Sequence, residues 1–582
     1  MKDQRALQYY ERLSVLGTKF DIQTSLGEVA ECLCTTPRHG RTLLQELQQR
    51  GWIIWTPKVG RNQRSVLRLK YSLMELKQIL GRALIEDGHY ELAMTLLEGD
   101  QQRFGALLQQ TSGTMVREGQ LHIQLTYQRV FDALLPHRPL RNSERFLVRQ
   151  IYACLTGCEK NGKVIPQLAH HWQANHDATV WRFYLRPQLR FHSNATMDAY
   201  GVAKLFQALR TLPEYQQELS HVEEISANQQ SVTFRLSSPD LGFAALLSDL
   251  RYSIQPVDQI GQADTLTVDG CGPFQVVEHS NERLRLQAND NYYGMRSLTD
   301  TVTIWQLDQA PSERIQLGHA EADATSDEPY YLLENDVHSG DSSQTRIENG
   351  CLYLLFNMHD EHNALTPEQR RYLSKLLSPE FILKQEQLSE LLMASVPARN
   401  LLPSWTPIRP LYEQDTPLPK KLDIAVYDHL VVLDCANVIS TQLNEMGIES
   451  KVNVYSLEEL HQRSVMREIA EDIIIASFNV DDNVPISVFR WMCSDAILRH
   501  GLPDSAKQWL DGGLAEMRQS VEVSGYLDKL ESMATIMIYE NWLSPLFHHR
   551  QTLRWRGVLQ GVSITDWSWP DFKHVWIEDK LD

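Results

Sequence analysis

Between Ser25 and Tyr71 the apolar positions change period twice. Leu26, Val29, Ala30 and Leu33 recur along one helical face, and Ser25 with Glu28 three residues on is the reciprocal pair that satisfies orphan amides at a helix start. After a turn at Cys34 and Thr35, Thr36 suits the cap and Pro37 the first position of a second helix, where a missing N–H costs nothing. Leu43, Leu44 and Leu47 form the buried stripe of that helix, which leaves Arg38, His39, Arg41, Thr42, Gln45 and Gln49 on its other side. Gly51 suits the left-handed residue that closes a helix. Trp52–Trp55 is then a short apolar run, and Leu67, Leu69 and Tyr71 alternate with Arg68 and Lys70 at the period of a half-buried strand. Between these strands Lys58, Arg61 and Arg64 surround Gly60.

Helix, turn, helix and a ribbon with a cationic tip predict a winged helix-turn-helix over residues 1–71, with the helix-turn-helix at 26–49. Side chains on the second helix reach phosphates and base edges in a major groove, and the tip suits a phosphate backbone. Thr36, Arg38, His39, Arg41, Thr42, Gln45, Lys58, Arg61 and Arg64 are the candidate DNA-binding residues, and double-stranded operator DNA is the implied partner. The competing reading is a winged helix used for protein contacts.

Leu73, Leu76, Leu80 and Leu84 continue at helical spacing, a further helix is expected over His89–Leu97, and Phe104, Leu107 and Leu108 suggest a third. Residues 72–118 therefore read as a helical connector, used for dimerisation or for packing. From Gly119 the pattern becomes one of strands alternating with helices, starting at His122–Tyr127, which predicts an α/β body.

Charge separates the two parts. Residues 1–71 hold 12 Lys and Arg against 6 Asp and Glu, whereas the whole chain is −18, with 56 against 74. A basic module on an acidic body confines nucleic-acid binding to the N-terminus. The 582 residues suffice for about two to four domains. No run of about 18 apolar residues predicts a membrane span, and Met1–Gly17 carries charges throughout, without the apolar core of a secretory signal. A cytoplasmic protein without membrane partners is expected. Eight cysteines at scattered positions form no CxxC pair or dense framework and read as free thiols.

Catalytic signatures are missing: there is no GxxxxGK[ST], GxSxG, HExxH or EF-hand loop. Met358–His362, His170–His171 and His548–His549 lack the spacing of a metal site. No enzyme activity, metal or cofactor is expected.

The run from Arg149 to Val202 resembles the solute-binding proteins of peptide, nickel and oligosaccharide transporters. The matching residues are Pro166, Leu168, Ala169, Trp172, Trp181, Phe183, Leu185, Arg186, Pro187, Phe191 and His192. Gly270–Gly294 is similar to that family's Gly-Thr-Gly-Pro-Tyr strand, with Cys271 and Phe274 as departures, and Leu352–Leu377 and Trp567–Ile577 fit its later segments. The resemblance implies a two-lobed body of the periplasmic-binding-protein type II, spanning 119–582. Lobe one is expected at about 119–345 and 525–582, and lobe two at about 350–520. Fused to a winged helix, such a body resembles the SgrR family of transcriptional regulators, which implies a sensor of a small metabolite acting on sugar-stress or transport genes.

The family's ligand lies between the lobes, so Cys271, Gly272, Asn357, Trp405, Asp481, Arg490 and Trp491 are the candidate ligand-binding residues. Phe356 belongs to the same crossover. Asp481 sits where peptide-binding relatives pair a ligand ammonium. Around these crossovers only Arg490 is cationic, so a peptide or neutral sugar stays open beside a sugar phosphate. The alternative function is a transport-linked binding protein delivering a peptide or sugar to a permease. The oligomeric state, the operator, and activation versus repression are not legible.

Overall fold

The computed structural model describes residues 2–58, 64–86, 89–100, 103–105, 107–108, 113–117, 120–127, 129–159, 162–262, 265–306, 331–333, 342–359, 365–384, 388, 392, 395–410, 416–555 and 559–577. The chain divides into an N-terminal unit, which among the described residues comprises Met1–Ser112 with Thr126–Arg129, and a larger body.

In the N-terminal unit α1 (Lys2–Ser14), β1 (Ile22–Thr24), α2 (Leu26–Cys32), α3 (Pro37–Gln49), β2 (Ile53–Thr56) and β3 (Ser65–Leu69) follow in order. α2 starts at its cap: the Glu28 amide donates to the Ser25 hydroxyl at 3.2 Å and the Ser25 amide to the Glu28 carboxylate at 3.0 Å. Cys34 makes the turn with a left-handed φ of 53°, and the Thr36 hydroxyl accepts from the His39 amide at 3.4 Å to open α3. A β-carbon on Gly40 would meet that of Ala30 at 3.4 Å, an ordinary contact distance, so α2 and α3 pass close to each other at this glycine.

α1 and β1 are additions to the expected elements. β1 pairs with β3 in an antiparallel sheet of order β1-β3-β2. Leu7, Tyr10 and Leu13 of α1 share one core with Val29, Leu44, Leu47, Ile53, Leu67 and Leu69. The Tyr10 hydroxyl donates to the Tyr71 carbonyl at 2.7 Å and accepts its amide at 3.1 Å. α4 (Leu73–Glu86) and α5 (Tyr90–Leu96) follow, and 103–105 and 107–108 are helical. The end of the expected connector differs: Gly113–Arg117 is a strand paired with Gln120–Tyr127 in a five-stranded sheet of the body.

In lobe one, strands Ala169–Ala174, Val180–Leu185, Val222–Ala227 and Ser231–Leu236 form an antiparallel sheet. Helix Ala199–Leu209 buries Val202, Leu205, Phe206 and Leu209. Lobe two is a six-stranded sheet in the order Val396–Pro397, Leu543–His548, Cys351–Phe356, Ile473–Phe478, Ile424–Tyr427, Val452–Tyr455. Cys351–Phe356 is buried at every position, which is why it reads as a continuous apolar run rather than an alternating one. Leu543–His548 lies inside this sheet, so the chain stays in lobe two past the expected return at about residue 525. Helix Tyr526–Tyr539, with Leu530, Met533, Ala534 and Met537 buried, feeds that strand. At the crossovers Ser342–Ile347 and Arg550–Trp555 pair antiparallel. Among the described residues no helix is long and apolar enough to cross a membrane.

Candidate DNA-contact face and candidate ligand site

α3 turns Gly40, Leu43, Leu44 and Leu47 inward and leaves Arg38, His39, Arg41, Thr42, Gln45 and Gln49 exposed. Its one acidic residue, Glu46, is paired with Arg50 at 3.2 Å, and the Arg50 guanidinium lies 5.3 Å from the Trp52 ring centroid. The face therefore offers guanidinium, imidazole, hydroxyl and amide groups, a donor-rich set suited to phosphates and base edges. Thr36 is exposed and engaged as the cap.

The ribbon departs from expectation at Arg64. Its guanidinium turns back to the Gln23 carbonyl at 3.3 Å and the Glu28 carboxylate at 3.2 Å, because β1, which was not expected, lies beside β3. Both side chains are solvent-exposed, so water screens the pair and it yields readily to a competing phosphate. The Ser25 amide, then the Thr24 hydroxyl, hold the Glu28 carboxyl below its ordinary range. Lys58 is exposed, with its amide on the Ser65 hydroxyl at 3.2 Å. Arg61 and Gly60 lie outside the described residues.

Five of the seven expected ligand residues are instead engaged in the core. The amides of Cys271 and Gly272 both donate to the Ile151 carbonyl, at 3.1 and 2.8 Å. A β-carbon on Gly272 would stand 2.6 Å from the Gln150 carbonyl oxygen, so glycine is required by a close passage of two chains. Burial pushes the Cys271 thiol up to about 12. The Asn357 amide nitrogen donates to the carbonyls of Ile469 at 3.1 Å and Glu471 at 2.9 Å, and its oxygen accepts the His359 amide at 3.3 Å. Phe356 is fully buried. Trp405 is buried, and Trp491 packs 5.5 Å from Tyr353 and 4.7 Å from Phe478.

The other two, Asp481 and Arg490, join the lobes. The Asp481 carboxylate takes Arg145 Nε at 2.9 Å, Arg145 Nη2 at 2.6 Å and the Trp567 indole N–H at 2.9 Å. Asp482 takes Arg149 at 2.6 Å. Arg145 and Arg149 stand one turn apart on helix Asn142–Ile151, so a single face of lobe one meets both aspartates of lobe two. In the reverse direction Arg490 reaches Asp249 at 2.7 Å and both oxygens of Glu218 at 3.2 Å. Burial alone would raise the Glu218 and Asp249 carboxyls, yet Arg490 and its neighbours hold both below their ordinary values. Arg518 adds a bond to His221 Nδ1 at 2.8 Å, while His221 Nε2 faces Asp240 at 2.9 Å.

The position expected to meet a ligand ammonium is thus filled by a guanidinium of the same chain. Sequence reasoning missed Arg145 and Arg149; their four-residue spacing on an amphipathic helix was the available signal. Among the described residues no group of three His, Cys, Asp or Glu is placed to hold a metal ion.

Residues 5–119 match the model "Sugar transport-related sRNA regulator N-term", and residues 163–373 match "Bacterial extracellular solute-binding proteins, family 5 Middle". The HTH-type transcriptional regulator SgrR of Yersinia enterocolitica is 30% identical over 98% of this chain and 98% of its own length. That of Salmonella typhi is 30% identical over 95% of each. Among solved structures, the Escherichia coli murein tripeptide binding protein MppA superposes with a TM-score of 0.60 at 15% identity, over 80% of this chain and 99% of that one. A dipeptide binding protein from Pseudoalteromonas sp. SM9913, in complex with Met-Leu, gives 0.60 at 15% identity, over 78% and 100%.

Proposed function

The chain belongs to the SgrR family of HTH-type transcriptional regulators, and on that premise we propose that its N-terminal unit binds an operator in double-stranded DNA while its two-lobed body senses a small metabolite. The genes it controls serve transport or sugar stress, and it acts in the cytoplasm by binding, without turnover. The winged helix, the helical connector and the solute-binding body are the three parts of this device.

The exposed row Arg38, His39, Arg41, Thr42 and Gln45 carries the reading. An amphipathic helix with its stripe buried, no unpaired carboxylate and donors along its free face is built to enter a major groove. The body supports the sensing half: its fold neighbours are binding proteins, and two-lobed bodies respond to a ligand through its differential affinity for their arrangements.

Genome-wide occupancy of the tagged chain, beside a version lacking residues 1–71, tests the proposal. Discrete peaks upstream of transport or sugar-metabolism genes, lost on truncation, are expected. A full-length protein with no peaks overturns it.

A further inference from the structure

Helix Asp504–Ser520 of lobe two sets an exposed tryptophan beside a stretch of bare backbone. Gly512 and Gly513 sit in the interior of this helix, where glycine is the poorest helix former after proline. Gly513 has a reason: an added β-carbon would stand 3.0 Å from Met533 Cε, at the crossing with helix Tyr526–Tyr539. Gly512 has none among the described residues, because a β-carbon there would meet nothing within 4 Å. One turn earlier Trp509 is 37% exposed, a large apolar side chain in water. We propose that this face is the contact with a second copy of the chain, an isologous dimer in which Trp509 of each copy enters the notch over the glycine pair of the other.

The exposed face continues onto the neighbouring helix. Trp509 meets Trp542 edge to face at 5.7 Å, and Gly513 lies over Met533, so the two helices run antiparallel side by side. Ser532, Ile536 and Tyr539 recur at helical spacing along the outer side of the second helix, and Ile536 and Tyr539 are each 42% exposed. Lys529 and Glu540, both exposed, flank that stripe at its two ends.

One two-fold axis satisfies both helices. Laid in the plane of the face and across the helix pair, it sets each helix antiparallel on its own copy. An axis level with Asp511 puts Trp509 opposite the glycine pair. Because Gly513 is level with Met533, the same axis crosses the second helix near Thr535, midway between Lys529 and Glu540. Lys529 of each copy then faces Glu540 of the other, and the bulk of Ile536 faces the small Ser532. Glu516 falls opposite Ser505 and Gln508 rather than another acid. Asp511 is turned off the face, to Arg499 at 2.8 Å and Gln217 at 3.1 Å, so the axis does not bring two carboxylates together.

The size of the face sets the strength of the contact. The first helix has 17 residues, which gives a length of about 25 Å, and two packed helices give a width of about 20 Å. That is on the order of 500 Å² per copy, the lower end for a specific interface, so the dimer should form and part with concentration. Two copies carry two winged helices and so can engage two half-sites of one operator, a consequence that, unlike the dimer itself, rests on the reading of the chain as a DNA-binding regulator.

Sedimentation velocity of the full-length chain, from low to high micromolar concentration, tests the contact. A shift from the mass of one chain to that of two is expected. Gly512→Leu fills the notch and should raise the dimer Kd by about tenfold or more, as for a residue at the centre of an interface. Its melting temperature should match or exceed that of wild type, since leucine is the better helix former and the space around Gly512 is open. Lys529→Glu sets like charges opposite each other and should weaken the dimer several-fold, and adding Glu540→Lys should restore it. A chain that stays monomeric throughout overturns the proposal, as does a dimer that Gly512→Leu leaves unchanged. A Lys529→Glu defect that Glu540→Lys fails to repair overturns it too.

Discussion

α3 and helix Asn142–Ile151 are both short amphipathic helices that set arginines on one face, and they use them in opposite ways. Arg38 and Arg41 stand in water, while Arg145 and Arg149 each meet an aspartate of the other lobe. A hydrated guanidinium is free to exchange water for a phosphate or a guanine edge. A buried one, already desolvated and paired, holds two parts of a fold together and is costly to strand. Arginine content therefore says little about function until the partner of each guanidinium is known.

Removing a lobe-joining guanidinium should have the largest effect. Arg490→Ala leaves Asp249 and Glu218 buried and under-compensated, and a loss of about 3–5 kcal/mol is expected in urea unfolding of the body. A midpoint unchanged from wild type would show that these pairs do not hold the lobes. On the other side of the comparison, Arg41→Ala should cost about 1–3 kcal/mol in operator affinity by titration if it reads a guanine, with folding stability changed by less than about 0.5 kcal/mol. A stability loss equal to that of Arg490→Ala would erase the distinction between the two helices.

A smaller, graded effect is expected at Glu348, on the crossover into lobe two. Burial first, against Arg346 and Arg145, pushes its carboxyl up to about 7 from an ordinary 4.5. The folded state then binds the proton more tightly than the unfolded chain, so stability is greatest below the ordinary value and falls as pH rises through about 7. Urea midpoints at about pH 5 and about pH 8 should differ in wild type and converge in Glu348→Gln. The smallest change belongs to the ribbon: Lys58→Ala should lower the salt slope of operator binding by about 0.9 and leave base preference intact. An altered preference would move Lys58 from backbone to base contact.

The winged helix was legible because its signals are local. Ser25 and Glu28 cap α2, Thr36 and Pro37 open α3, and Gly51 closes it, each within a few residues. The pattern missed β1, three residues with no period of their own, and with it the partner that draws Arg64 back to Glu28. For the body, the solute-binding resemblance indicated two lobes, but proximity to the crossovers selected Cys271, Gly272, Asn357 and Trp491, whose types serve packing as well as binding. Nothing in the residues themselves separates the two uses.

By itself the sequence determined which helix faces water, where helices begin and end, and that the basic charge sits in the first 71 residues. Those properties depend on neighbours three or four positions apart. Only the tertiary structure decided that Arg145 answers Asp481 across 336 positions, that Leu543–His548 joins the sheet of lobe two, and that Trp509 and Gly513 lie beside Trp542 and Met533. Pairings at such separations depend on which surfaces the packed lobes bring together, and no local period encodes them.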